Sequence, residues 1–90
     1  MKIKVKAFAG FRNLLGRERE VTLEEGCTLR TLLEGLFSPP HRDRMFSGDG
    51  QLRDDVNVLR NGQNVLGQGG LEMALADGDE IAVIPAVIGG

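Results

Sequence analysis

Apolar and polar residues alternate from the start of the chain. Between Lys2 and Ala9, Ile3, Val5, Ala7 and Ala9 fall on one face, and Lys2, Lys4, Lys6 and Phe8 fall on the other. A period of two is the signature of a half-buried strand. Gly10 ends the run. Phe11 to Leu15 reads as one helical turn closed by Gly16. A second strand follows around Glu18 to Leu23, and Glu24-Glu25-Gly26 turns the chain. The period then changes. Leu29, Leu32, Leu33, Leu36 and Phe37 stand at i, i+3, i+4, i+7 and i+8, one face of a helix. Thr28 is its N-cap candidate. Ser38-Pro39-Pro40 stops it, because a residue before proline avoids the helical region.

The second half is shorter-ranged. His41 to Asp55 is charged and reads mostly as connection, with Met45, Phe46 and Leu52 available to tack it down. Val56 to Arg60 is a third strand. Asn61-Gly62 is a type I′ turn signal, and Gln63 to Leu66 returns as a fourth strand. Gly67-Gln68-Gly69-Gly70 is a loop, and Leu71 to Leu75 reads as a short apolar piece, a helical turn. Asp77-Gly78-Asp79 leads into the last strand, Glu80 to Ile84.

The order strand, strand, helix, strand, strand, strand describes an α+β layer structure. A β-grasp roll fits it: a mixed sheet of about five strands packed on one main helix, with the Ile- and Val-rich last strand in the middle. A ferredoxin-like arrangement needs a second long helix, and residues 71–76 are too short for one. The predicted domain is 1–84, followed by a flexible tail, 85–90, which opens on a proline that cannot continue a central strand.

Composition narrows the function. Ninety residues make one domain with one modest core. The net charge is −2, from 11 basic and 13 acidic residues, which argues against nucleic acid as partner. No apolar run has membrane-spanning length, and the N-terminus does not read as a signal peptide. The single cysteine, Cys27, forms no internal disulfide, so a reducing cytoplasm is expected.

The tail, Pro85-Ala86-Val87-Ile88-Gly89-Gly90, carries the main functional signal. Terminal glycines contribute little to folding. Without Cβ atoms they pass a narrow slot and leave the last carboxylate unhindered. The five residues after Pro85 reach ~17 Å when extended at ~3.3–3.6 Å per residue. If the first and last strands lie parallel, Phe8 and Ile84 emerge on the helix-free face beside the tail's root, with Leu59 outward on the third strand. Such an apolar cluster is a candidate partner surface.

The runs "KIKVKAFAGFRNLLG", "VNVLRNG" and "LADGDEIAVIPAVIGG" resemble the ubiquitin-like sulfur carriers. That group includes the small subunit of molybdopterin synthase, the thiamine-pathway carrier, the cysteine-forming carrier of actinobacteria and the archaeal small modifiers. The resemblance covers the chain apart from residues 38–55. It places the reactive group on the Gly90 carboxylate, with Gly89 beside it, and the partner-binding patch on Phe8 and Ile84. Leu59 and the tail residues Pro85, Ala86, Val87 and Ile88 are expected to join that contact. Molybdopterin-type carriers often have phenylalanine at the position of Ile84 and two prolines next; this chain has Ile84, Pro85 and Ala86.

The resemblance implies a carrier rather than an enzyme. An ATP-dependent partner adenylates Gly90, a sulfide or persulfide from a sulfur donor displaces AMP, and the resulting thiocarboxylate delivers sulfur inside an accepting synthase. It implies no cofactor on the chain itself; ATP is used by the activating partner. The alternative is a protein modifier, with Gly90 joined to lysines by an isopeptide bond. Other motifs are weaker. Cys27 reads as an inert thiol, and His41 has no second metal ligand at sensible spacing. Asp77 to Glu80 is too short for a calcium loop. Gly67 to Gly70 lacks the Lys and Ser/Thr of a phosphate loop.

Overall fold

The computed structural model describes residues 1–85. Its sheet has five strands in the order β2-β1-β5-β3-β4. These are β1 (Lys2–Ala7), β2 (Glu18–Thr22), β3 (Val56–Arg60), β4 (Gln63–Asn64) and β5 (Glu80–Pro85). One turn of helix, α1 (Arg12–Leu15), links β1 to β2, and the main helix, α2 (Leu29–Leu36), crosses one face of the sheet. β1 runs antiparallel to β2 and parallel to β5, while β3 is antiparallel to both β5 and β4. β5 is therefore central, held by a ladder on each side.

The alternation in β1 sets the layers. Ile3, Val5 and Ala7 are buried, as are Val56, Val58, Ile81 and Val83 from the other strands. Against them α2 lays Leu29, Leu32 and Leu33, with Phe37 just past its end, and all four are 1% exposed or less. Each such side chain contributes about 1.5–3 kcal/mol on burial. The Thr28 hydroxyl accepts the Thr31 N–H at 3.3 Å and so caps α2. The rings of Phe11 and Phe37 meet edge to face, centroids 5.8 Å apart, which seats α1 against the end of α2.

Several boundaries differ from the sequence reading. β1 stops at Ala7, because Ala9 adopts φ 51° and the Phe11 N–H closes back on the Phe8 carbonyl at 3.2 Å. Ala9 is therefore exposed instead of lying on the buried face. β4 is two residues long. The Asn64 side chain accepts the Leu66 N–H at 2.9 Å and bends the chain into a 3₁₀ turn, Val65–Gln68. Leu66, expected in the strand, is 72% exposed.

Leu71, Met73 and Leu75 are all buried at a period of two. After a 3₁₀ turn at Gly70–Glu72, their segment runs extended beside the start of α2 and pairs Ala74 with Thr28. It is not a helical turn. The 38–55 stretch is more ordered than connection implies. It holds a 3₁₀ helix, Pro39–Arg44, a fully buried Met45 and a bridge between Phe46 and Leu52.

The β3–β4 turn follows expectation, with Asn61 at φ 50° and Gly62 at φ 85°. β5 extends one residue past the predicted limit. Pro85 stands opposite Val56 as the strand's last residue, the one position where a missing N–H leaves the rest of the ladder intact.

Candidate functional site

The site is built at the end of the sheet where β1 and β5 finish together. Their parallel register sets Ala7 beside Val83, and the Phe8 N–H continues it by donating to the Val83 carbonyl at 3.1 Å. Side chains alternate across a strand, so Phe8 and Ile84 both emerge on the face away from α2. Phe8 is 37% exposed and Ile84 is half-buried. Pro85 follows Ile84 directly and is half-buried too.

Leu59 stands on the same face but not against Ile84. Its partner across the ladder is Ala82, which also faces Lys6, while Ile84 sits opposite Asn57. The row nearest the tail's root is therefore Phe8, Ile84 and Asn57, and Leu59 lies one row behind. Ala86, Val87, Ile88, Gly89 and Gly90 lie outside the described residues.

Three features here escaped the sequence reading. Arg12 reaches back from α1, donates from Nε to the Ala7 carbonyl at 3.0 Å and holds its guanidinium 5.6 Å from the Phe8 ring centroid. This cation–π contact fixes the ring's outward pose. Arg44, from the segment read as connection, lies 5.9 Å from the Phe11 ring centroid. Between Arg44 and Pro85 opens a groove of about 590 Å³, walled by Ala9, Gly10, Phe11, Asp43, Arg44, Val56 and Pro85 and by the Arg53–Asp55 pair. Two bonds, 2.9 and 3.1 Å, join that pair. Hydrogen bonding to Arg53 holds the Asp55 carboxyl below its ordinary range, and Asp55 in turn raises Arg53. The spacing "FR" after a strand end signals Arg12; only tertiary contact brings in Arg44.

The lysine stripe is neutralised. Lys2, Lys4 and Lys6 pair with Glu20, Glu18 and Glu80 at 3.8, 3.2 and 3.3 Å. Exposed pairs of this kind add little stability, but they leave Phe8 and Ile84 as an apolar end to an electrically balanced face. Cys27 is partly exposed and unpaired. Among the described residues no three His, Cys, Asp or Glu side chains come together to hold a metal ion, and no helix is long and apolar enough to cross a membrane.

A five-stranded mixed sheet wrapped on one helix, in this strand order, is the β-grasp, and the chain is a ubiquitin-like protein of that class. Residues 5–90 match the ThiS family, and the chain belongs to it. It is 38% identical to small archaeal modifier protein 1 of Haloferax volcanii, over 94% of this chain and 97% of that one. The crystal structure of SAMP1 from Haloferax volcanii superposes with a TM-score of 0.78 at 35% identity, covering 100% of both chains. The chain is also 46% identical to the sulfur carrier protein CysO of Mycobacterium tuberculosis over 44 residues, 49% of this chain and 47% of that one. Its relatives thus include both sulfur carriers and ubiquitin-like modifiers.

Proposed function

We propose that this chain is a sulfur carrier whose working group is the Gly90 carboxylate. The observation that carries the reading is the family match, which runs to Gly90 itself. The geometry supports it, because the parallel β1–β5 pairing gathers Phe8, Ile84 and the tail's root at one end of the molecule.

A free carboxylate is a poor acyl donor, since its oxygen is a bad leaving group. The adenylating partner joins the Gly90 carboxylate to the α-phosphate of ATP and releases pyrophosphate. Hydrosulfide, or a persulfide sulfur on a donor enzyme, then attacks the acyl carbon, and AMP departs with the bonding electron pair. A persulfide leaves an acyl disulfide that a second thiol reduces. The product is a terminal thiocarboxylate, anionic at neutral pH and nucleophilic for the reason that thiolates are. Its sulfur bonds to an electrophile held by an accepting synthase, and water then cleaves the acyl carbon–sulfur bond, which leaves sulfur on the acceptor and returns the Gly90 carboxylate. No side chain of the carrier acts as base or nucleophile; Phe8, Ile84 and Leu59 dock, and Pro85 to Ile88 thread Gly89 and Gly90 into the partner. Such a protein acts in the cytoplasm as a consumed and recharged co-substrate, in a cysteine-type, molybdopterin or thiamine-type pathway.

The full-length likeness to small archaeal modifier proteins favours a second reading, in which the same adenylate is passed to target lysines. Intact mass after incubation with ATP, sulfide and the adenylating enzyme of the source organism separates the two. Replacement of one oxygen by sulfur is the expected result. High-mass conjugates without a sulfur-bearing species overturn the carrier reading, and an unchanged mass overturns both.

A further inference from the structure

Phe8 is held more tightly than its exposure implies. Its N–H donates to the Val83 carbonyl at 3.1 Å, and its own carbonyl accepts the Phe11 N–H at 3.2 Å, so the backbone is fixed on both sides. Nothing in that pairing sets the ring, which is 37% exposed and lies outside the buried core. An aromatic side chain on an open face turns among staggered rotamers. Arg12 supplies the missing constraint. Ala9, at φ 51°, folds the chain back, and α1 begins three residues later. From there Arg12 Nε donates to the Ala7 carbonyl at 3.0 Å, a charge-assisted bond to the last residue of β1. The same guanidinium lies over the Phe8 ring, 5.6 Å from its centroid. The cation is thus anchored to the residue just before Phe8, on backbone that does not move relative to it. Among the described residues Arg44 also lies over a ring, but that ring, Phe11, is buried and packed edge to face on Phe37. Phe8 has no ring packed against it there, so Arg12 is what remains to orient it.

We propose that Arg12 is a positioning residue: it holds the Phe8 ring in the pose that the activating partner grips. The proposal rests on the carrier reading and says how the docking face of that reading is kept ready. One face of the ring lies under the guanidinium, which leaves the other face and the edge to an apolar pocket of the partner. Ordering an exposed side chain on binding costs affinity, and a ring already ordered avoids that cost. A cation over an aromatic face is favourable even at an exposed site. Gly90 reacts six residues beyond Ile84, so the effect falls on binding and not on the chemical step.

Two measurements test it on the full-length chain. In the free carrier, three-bond NMR couplings report the χ1 rotamers of Phe8. One rotamer is expected to dominate in wild type, and averaging is expected in Arg12→Ala. In steady-state charging by the adenylating enzyme of the source organism, Arg12→Ala is expected to raise KM about threefold with kcat unchanged, the factor that a contact of this kind gives at an exposed site. Arg12→Lys keeps the charge without the Nε bond and is expected to fall between. The contact needs an aromatic face, so in a Phe8→Leu background Arg12→Ala is expected to leave KM where Phe8→Leu alone sets it. Arg19→Ala, which removes the same charge from β2 at the far edge of the sheet, is the control and is expected to match wild type. Matching melting curves exclude unfolding. A Phe8 rotamer that stays fixed in Arg12→Ala overturns the proposal, as does an unchanged KM. An equal rise in KM with and without Phe8→Leu means that Arg12 meets the partner directly, and it overturns the positioning role too. Those outcomes leave the carrier reading standing. A wild-type chain that is never charged overturns both.

Discussion

Asp79 is the one buried acid among the described residues, 6% exposed, and it locks the entry to the central strand. Its Oδ2 accepts the Ala76 N–H at 2.8 Å and lies 2.9 Å from Arg60 Nε, while Oδ1 accepts from Asn61 Nδ2 at 3.1 Å. Asp79→Ala strips all three donors of their acceptor. Hydrogen bonds to a charged group contribute about 1.5–3 kcal/mol each, and they are not additive. The Arg60 side chain is 23% exposed and recovers part of its loss from water. The expected net loss is about 2–4 kcal/mol, a large part of the ~5–15 kcal/mol that holds a domain together. At ~4–8 °C per kcal/mol for a domain of this size, melting drops by about 8–32 °C. The chain has no Trp or Tyr, so far-UV circular dichroism under heat and urea is the assay. Arg60→Ala leaves the carboxylate buried without its cation, and the double variant is expected to lose less than the sum of the singles. The cluster stands at the far end of the sheet from Pro85, so charging at a temperature where the variant is folded is expected to match wild type. A loss under ~1 kcal/mol, or additive single and double variants, refutes the reasoning.

Phe8→Arg removes the apolar end of the open face, and it is expected to weaken charging while melting stays unchanged; unaltered adenylation kinetics tell against the docking role. Phe37→Ala empties the contact with Phe11 and leaves a cavity under α2, with an expected loss of about 3–5 kcal/mol by urea titration. Thr28→Ala removes the cap of α2 and is expected to lose about 1 kcal/mol. The Asp55 carboxyl is depressed in the folded chain from its ordinary 3.8, chiefly by the Arg53 hydrogen bond. Its contribution is therefore present above that value and fades as pH falls through the lowered one. Acid titration of Arg53→Gln against wild type is expected to show less pH dependence in that window.

The sequence was most legible where period and face agree. Ile3, Val5 and Ala7 alternate, Leu29 to Phe37 repeat at helical spacing, and Asn61-Gly62 admits one kind of turn, so those elements fell where the pattern placed them. It misled where local hydrogen bonds outbid the pattern. Ala9 continues the alternation of β1, yet the closure of Phe11 onto Phe8 turns the backbone there. Leu71, Met73 and Leu75 are too few to separate a period of two from a helical turn, and the pairing with Thr28 and Cys27 decides it. Met45 and Arg44 lie in a charged stretch with no period, and their roles come from tertiary packing alone. At the site, Phe8 and Ile84 were legible because parallel strands that end together put equivalent residues side by side. Asn57 beside Ile84 was not, because it depends on the exact register of β3 against β5.

The parallel pairing also fixes a ruler. Ile84 and Pro85 are consecutive residues of a strand held on both sides, so the face that carries Phe8 and Ile84 and the tail's root cannot move independently. From Ile84 the chain has six residues to Gly90. Their extended contour is at most about 22 Å. On the carrier reading, a partner that grips Phe8 and Ile84 holds its nucleotide within that distance of the grip, on the side where β1 and β5 end. The groove at Arg44 lies on the same side and against the same proline. On the carrier reading, a partner that receives the tail meets both.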